Sequence, residues 1–149
     1  MKKYQAQRDL KGCGIACLAN LLDKPYDSVK KDFEKKFYKI DRGVKMFDIV
    51  NYLRLCGLEY KSKFFNQNKR YEYNKKEGSK FSKILGSITL IAKSQKYKVG
   101  HYLLRIENGW VDPWINFVPL DKARAGIRKR LPGNAWYVLF PLNNYKKTN

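Results

Sequence analysis

The sequence is poor in the side chains that bind metals and form disulfides. Its 149 residues include one histidine, His101, and three cysteines, Cys13, Cys17 and Cys56. An odd number of cysteines excludes a complete disulfide framework, so we expect reduced thiols. These four side chains also lack the paired Cys-x-x-Cys spacing of a structural zinc site. We therefore expect neither a metal nor another cofactor.

Acidic residues are also scarce, at 13 against 32 Lys and Arg, which gives a formal net charge of +19. A field of this sign raises the local concentration of polyanions and acidic proteins without identifying a fold. The densest basic cluster is a candidate site for a polyanion or an acidic substrate, and it comprises Arg124, Arg128, Lys129 and Arg130. Non-specific, salt-dependent nucleic-acid binding is one interpretation of this charge, although no recognised nucleic-acid motif accompanies it. A solvated surface is the other interpretation.

Long hydrophobic runs are absent, because no segment approaches the roughly 20 apolar residues that cross a bilayer. The amino terminus turns polar within its first residues and lacks the apolar core of a signal peptide. We expect no membrane insertion and a cytoplasmic location. No repeat or Pro/Gly/Ser linker interrupts the chain, so we expect one domain over residues 1–149, with a polar, frayed tail at 143–149.

Hydrophobic periodicity predicts helices in the first part of the chain and strands in the second. Three helices are predicted from apolar side chains at helical spacing, over residues 14–22, 26–37 and 44–56. In the third, Phe47 and Leu55 are assigned to the buried face. Residues 66–80 are polar and are interpreted as a loop that runs into a short helix. Strands are predicted over residues 58–65, 87–92, 101–107, 110–112 and 135–141, with a hairpin turn at Asn108-Gly109. Helices segregated from an antiparallel sheet predict an α+β domain.

Cys13 has the features of a nucleophile. It lies between Gly12 and Gly14, immediately before the first predicted helix. A cysteine reacts as its thiolate, and the positive end of a helix dipole favours that charge. The two glycines allow a substrate carbonyl to approach the sulfur closely. Cys17, one turn further on, is interpreted as an inert packed thiol.

His101, the single histidine, is the candidate base for such a nucleophile. It follows Gly100 at the start of a predicted strand, where a side chain can project into a cleft at the sheet end. A base of this kind needs a third group that fixes its tautomer. Asp112 flanks the same hairpin turn from the other strand, so the two side chains are expected to be cross-strand neighbours.

An amide side chain completes the set. Gln7 lies six residues before Cys13 and is the candidate oxyanion donor, together with the backbone N–H of Cys13. Gln5 is a weaker candidate. Each of these residues alone has an ordinary structural interpretation, but the four residue types that one mechanism requires occur together.

At these positions the sequence resembles the C39 peptidase-like family of papain-like cysteine peptidases, the double-glycine leader peptidase branch. The matching motifs are Gln7, then Cys13-Gly14-Ile15-Ala16-Cys17, then Gly100-His101-Tyr102, and finally Asp112-Pro113. The resemblance implies a papain-like fold in which N-terminal helices pack on a C-terminal antiparallel sheet. It also implies Cys13 as nucleophile, His101 as base, Asp112 as its orienting partner and Gln7 as oxyanion donor. Members of this family cut leader peptides after a Gly-Gly pair, usually as the N-terminal domain of a peptide-exporting ABC transporter.

The sequence therefore predicts a cofactor-free cysteine hydrolase that cleaves a peptide or isopeptide amide bond through a thioester. Its expected partner is a peptide or protein substrate, and the basic surface suits an acidic one. Acyl transfer to an amine other than water, or attack on a small-molecule amide, is a variant of the same chemistry. The alternative is a catalytically inactive papain-like scaffold that binds nucleic acid or an acidic protein through its basic surface.

Overall fold

The computed structural model describes residues 3–65 and 72–142, with side chains for all of these except 72–75. The predicted tail at 143–149 lies outside the described residues. The described helices are α1 (Cys13–Leu22), α2 (Tyr26–Lys36), α3 (Met46–Leu55) and α4 (Glu72–Ser82). The strands are β1 (Tyr60–Phe64), β2 (Ile88–Ile91), β3 (His101–Ile106), β4 (Gly109–Asp112), β5 (Gly126–Arg128) and β6 (Ala135–Pro141). Two short 3₁₀ helices lie at Ile40–Arg42 and Leu120–Lys122.

These strands form one antiparallel sheet in the order β1-β6-β2-β3-β4-β5. The predicted hairpin is present between β3 and β4, with Leu104 opposite Val111. Continuing this register places Leu103 opposite Asp112. His101 and Asp112 are therefore diagonal neighbours across the hairpin, a distance that long side chains still bridge.

The main core lies between the sheet and the helices α1, α2 and α3. Phe33 of α2 and Leu53 of α3 are fully buried there, together with Leu139 of β6. Val138, the neighbour of Leu139, belongs to a separate cluster with Phe81 of α4. Because successive side chains of a strand point to opposite faces, α4 covers the face of the sheet that the first three helices leave open.

The central helix is α1, which packs against both α2 and β3. Every residue from Gly14 to Leu21 is buried, and a helix that is enclosed on all sides belongs to the core. It ends at Asp23, which takes the left-handed conformation with φ 56°, two residues before Pro25. This packing fixes Cys13, at the start of α1, against the beginning of β3.

The predicted elements are present with shifted boundaries, and two predicted core positions are wrong. Phe47 is 62% exposed and Leu55 is 64% exposed, because the buried face of α3 consists of Ile49, Val50, Tyr52 and Leu53. The segment predicted as a polar loop over 66–80 contains α4 from residue 72 onwards, and residues 66–71 lie outside the described part. Strand β5 was not predicted, because its three residues lie within the basic cluster and show no hydrophobic alternation.

Among the described residues, no helix combines the length and the apolar character that a membrane crossing requires.

Candidate active site

Cys13 is the first residue of α1, and its half-buried side chain lines a cleft. Gly12, before it, donates its N–H to the carbonyl of Asp9 at 3.0 Å. A Cβ at position 12 would collide with the Tyr26 hydroxyl, which donates to the Asp9 carboxylate at 2.7 Å. The close approach of the backbone at position 12 to Tyr26 therefore requires glycine. Helix α1 starts directly after this glycine, so the positive end of its dipole lies at the Cys13 sulfur.

His101 is the first residue of β3 and only 3% exposed. The preceding Gly100 has a φ of +86°, a conformation that favours glycine, and its N–H donates to the Tyr97 carbonyl at 3.0 Å. This turn brings the imidazole to the start of α1. The Cys13 thiol and the His101 ring line the same cleft, close enough for the charge of one to affect the pKa of the other.

Asp112 is the last residue of β4, and its side chain is fully buried. Its Oδ1 accepts hydrogen bonds from His101 Nε2 at 2.7 Å and from the backbone N–H of Trp114 at 2.9 Å. Its Oδ2 accepts a hydrogen bond from Arg128 Nε at 2.7 Å. A buried carboxylate needs partners of this kind, and together they fix its orientation towards the imidazole.

These contacts set the protonation states of the pair. Burial alone would lower the pKa of His101, but the hydrogen bonds to Asp112 and Cys13 outweigh it and raise the pKa to about 9. At neutral pH the ring is therefore an imidazolium, with Nε2 donating to Asp112 and Nδ1 available to the thiol. Burial raises the pKa of Asp112, but His101, Arg128 and the backbone N–H of Trp114 outweigh it and lower the pKa to about 2. Asp112 is consequently ionised.

The neighbouring Cys17 has a different environment. It is 1% exposed, and burial raises the pKa of its thiol well above the usual range. Cys17 therefore remains a neutral, packed thiol, whereas Cys13 reaches the cleft.

An aromatic ring covers His101. Tyr97 stacks on the imidazole, with ring centroids 4.3 Å apart and an interplanar angle of 6°. Phe117 contacts Tyr97 edge-on at 5.6 Å, and Trp114 contacts Phe117 at 4.5 Å. This row of rings excludes water from one face of the imidazole and fixes its plane.

Gln7 lies at the cleft but is tied to the backbone. It is 1% exposed, and its Nε2 donates to the carbonyls of Asp9 at 3.0 Å and Leu10 at 3.1 Å. Its backbone N–H donates to the Pro113 carbonyl at 3.0 Å. Its Oε1 is buried and has no hydrogen-bond partner among the described residues. In this arrangement both amide protons hold the turn before Cys13 and do not face the cleft.

The cleft has a volume of about 700 Å³ and draws its walls from both halves of the chain. Cys13 and Met46 line it from the helical half, and His101, Trp114 and Trp136 line it from the half that contains the sheet. Cavities of this size accommodate several side chains of a ligand. The thiol and the imidazole are therefore both accessible from one ligand-sized space.

The basic cluster predicted as a polyanion or acidic-substrate site lies outside this cleft. Arg128 of β5 is engaged by Asp112, and Lys129 and Arg130 follow it at exposed positions. Arg124 is exposed in the preceding loop, where its backbone N–H donates to Asn116 at 3.0 Å. Binding of a polyanion by this cluster stays a prediction.

No three His, Cys, Asp or Glu side chains in the described ranges come together as a metal ion would require.

Two contacts of the site have no signal in the sequence. The sequence assigns Arg128 to the candidate polyanion or acidic-substrate site, yet its side chain bonds to Asp112, because β5 pairs with β4 and places Asp112 opposite Gly126. Tyr97 reaches His101 through the turn that ends at Gly100. A Tyr-x-x-Gly-His spacing is compatible with such a turn, but many other conformations share it.

Comparison with known proteins gives a likeness in structure and none in sequence. The sequence matches no protein-family model and no curated protein. The structure is similar to the crystal structure of the peptidase domain of Streptococcus ComA, a bi-functional ABC transporter involved in a quorum-sensing pathway. The two share 17% identity over 95% of this chain and 98% of that one, with a TM-score of 0.54. At this identity the likeness shows the fold, which is the predicted α+β arrangement of N-terminal helices on a C-terminal antiparallel sheet.

Proposed function

We propose that the protein is a thiol hydrolase that cleaves a peptide or isopeptide amide bond, with Cys13 as nucleophile, His101 as proton carrier and Asp112 as its orienting partner. The observation that carries the proposal is the buried hydrogen bond of 2.7 Å between His101 and Asp112, on an imidazole that lines the same cleft as the Cys13 thiol. This is the arrangement that a nucleophile, its base and a third orienting group require.

The chemistry follows from these positions. The Cys13 thiolate attacks the carbonyl carbon of the substrate amide, and the carbonyl oxygen becomes an anion. The imidazolium of His101 donates its proton to the leaving nitrogen, so that the C–N bond breaks and a thioester forms. Water then attacks the thioester while His101 accepts a proton from it. The carboxylic acid is released, and the Cys13 thiolate and the His101 imidazolium are restored.

The oxyanion is stabilised by the start of α1. The backbone N–H of Cys13 belongs to the first turn, whose amides have no acceptor within the helix, and such donors stabilise a developing negative charge. Gln7 is the candidate second donor. In that role its amide turns from the carbonyls of Asp9 and Leu10 towards the cleft when substrate binds.

A matched pair of cysteine variants tests the proposal. Purified protein is incubated with a peptide library prepared by digesting a cell lysate, and new termini are identified by mass spectrometry. We expect cleavage by the wild type and by Cys56→Ala, whose thiol lies outside the cleft. We expect none by a folded Cys13→Ala variant. Equal cleavage by Cys13→Ala and Cys56→Ala would remove Cys13 from the mechanism.

Selective alkylation of the thiol provides a second test that needs no substrate. Iodoacetamide should modify Cys13 faster than Cys56 near neutral pH, and His101→Ala should slow that reaction, because an adjacent imidazole activates a cysteine nucleophile. The rates can be followed for each cysteine by peptide mass spectrometry. Equal rates at the two cysteines would argue against an activated thiol.

The net charge of +19 supports a second candidate function, a binding scaffold for nucleic acid. Binding of this kind weakens steeply with added salt and does not depend on Cys13. This second function is tested by filter binding of a single-stranded oligonucleotide to the wild type and to Cys13→Ala over a range of salt concentrations.

We place both functions in the cytoplasm, as an expectation from the sequence.

A further inference from the structure

Among the described residues, the cleft around the thiol is lined by cations and by no carboxylate. Its basic side chains are Lys11, Arg42, Lys45, Lys96 and Lys98. Within the part of the chain that the structure describes, none of these five forms an ion pair with a carboxylate. Four of them are exposed, and Lys11 is half-buried. Their charges are therefore available to a ligand.

Two carboxylates of neighbouring segments are engaged by other side chains. Asp9 accepts hydrogen bonds from Tyr26 at 2.7 Å and Lys30 at 2.9 Å, and Asp48 accepts one from Tyr38 at 2.5 Å. Uncompensated charge of one sign, in a concave site with apolar walls, concentrates ligands of the opposite sign.

The cations come from both halves of the molecule. Arg42 and Lys45 belong to the segment between α2 and α3, whereas Lys96 and Lys98 belong to the loop between β2 and β3. Cys13 and His101 line the same cleft. An extended chain whose carbonyl lies at the thiol therefore meets positive charge contributed by each half.

Exposed apolar side chains lie among these cations. Leu10, Phe47, Val99 and Phe117 are 65%, 62%, 56% and 39% exposed, and all four line the cleft. Grouped exposed apolar side chains of this kind mark binding sites. Leu10 and Val99 are aliphatic and suit the apolar side chains of a peptide, whereas Phe47 and Phe117 offer surfaces for apolar side chains and for stacked bases alike.

From this combination we infer that the cleft binds an extended peptide in which carboxylate side chains flank an apolar stretch, so that acidic peptides are its preferred substrates. The inference rests on the proposed peptidase function, because the same cleft holds the reactive thiol. It differs from the prediction for Arg124, Arg128, Lys129 and Arg130, which lie elsewhere.

The test uses two labelled synthetic peptides that are identical except that Glu residues on both sides of a central apolar stretch are replaced by Gln. Their dissociation constants for Cys13→Ala, which binds without turnover, are measured by fluorescence anisotropy at low and high salt. Several partly exposed ion pairs together predict about tenfold tighter binding of the Glu peptide at low salt. The difference should shrink as salt rises. Equal affinities at low salt would overturn the inference.

Matched charge reversals, each in the Cys13→Ala background, locate the effect. Lys45→Glu with Lys98→Glu reverses one cation on each side of the cleft, and Lys61→Glu with Lys83→Glu makes the same change at exposed lysines outside it. We expect the first pair to abolish the preference for the Glu peptide and the second pair to retain it. An equal loss of preference in both would assign the effect to net charge and would overturn the inference.

Cleavage of the same peptides separates this inference from the proposed function. Preferential binding of the Glu peptide without cleavage by the wild type would contradict the peptidase proposal alone. Cleavage of both peptides at equal kcat/KM, with equal affinities, would contradict the acidic preference alone. An oligonucleotide that displaces the Glu peptide at a concentration well below that of unlabelled peptide would assign the cleft to nucleic acid and overturn the inference.

Discussion

Replacing Arg128 with methionine removes one of three donors from a buried carboxylate. The pKa of Asp112 is lowered from its ordinary value of 3.8 to about 2 by His101, Arg128 and the backbone N–H of Trp114, against the effect of burial. A shift of this size corresponds to about 2 kcal/mol of preference for the ionised form in the folded protein. Losing one partner of a buried ion pair costs about 3–5 kcal/mol. The Arg128 side chain is 24% exposed, so water replaces part of the contact, and we expect a loss of about 1–2 kcal/mol.

The pH dependence gives this prediction its sign. Because the folded protein holds Asp112 at a lowered pKa, the stabilisation is present above the unfolded value near 3.8 and is lost as pH falls through the folded value near 2. Arg128→Met should therefore be less stable than the wild type at pH 7, and the difference should shrink below about pH 4.

Urea unfolding at several pH values measures both quantities. Arg130→Met is the matched control, since Arg130 is exposed two residues further along and no ion pair involves it among the described residues. Arg128→Lys should recover part of the stability because it retains the charge. Equal stabilities of Arg128→Met and Arg130→Met at pH 7, or a difference that does not change with pH, would refute the reasoning.

Three further predictions concern the same region. The rate of hydrolysis should fall as pH rises through about 9, where His101 loses the proton that the leaving nitrogen needs. Asp112→Asn should move this limb of the pH–rate profile to lower pH. A limb that does not move would contradict the assignment of His101 as proton donor. Gly12→Ala should lower the free energy of unfolding in urea by about 1–3 kcal/mol. Adding Tyr26→Phe should recover part of that stability because the clashing hydroxyl is gone. Strictly additive effects of the two substitutions would argue against the clash. Tyr97→Ala should lower kcat/KM by roughly threefold to tenfold because the ring stacking on His101 is lost, whereas Tyr97→Phe should keep kcat/KM unchanged. Equal losses of kcat/KM in both variants would assign the effect to the hydroxyl.

The parts of the fold that were predictable are those with strong local signals. β6 was predicted over its full length, because Ala135–Pro141 is a compact apolar run. The start of α1 and the hairpin between β3 and β4 were predicted because glycine and Asn-Gly turns mark them. Phe47 and Leu55 show the limit of periodicity, since a short helix that touches the core along one edge leaves apolar side chains exposed.

The residues of the candidate site were predictable from the sequence, whereas the hydrogen bonds that orient them were less so. Cys13 was selected by its position between two glycines at the start of a helix, His101 by being the single histidine, and Asp112 by the hairpin that it shares with His101. The contact of Arg128 with Asp112 depends on the pairing of β5 with β4. That pairing is a long-range contact made by a strand of three residues, so the sequence carries little signal for it. The orientation of the Gln7 amide depends on the carbonyls of the following turn, and chain spacing carries no information about it.

The packing of α1 on β3 has a consequence for how the protein is made. Cys13 leaves the ribosome before His101 and Asp112, which follow it in the chain. The sheet that carries them includes β6, which lies between β1 and β2 although it is the last of the described strands in sequence. Contacts of such long sequence separation form late in folding. A nascent chain therefore carries a cysteine without its base, and the proposed activity begins only when β6 has taken its place in the sheet.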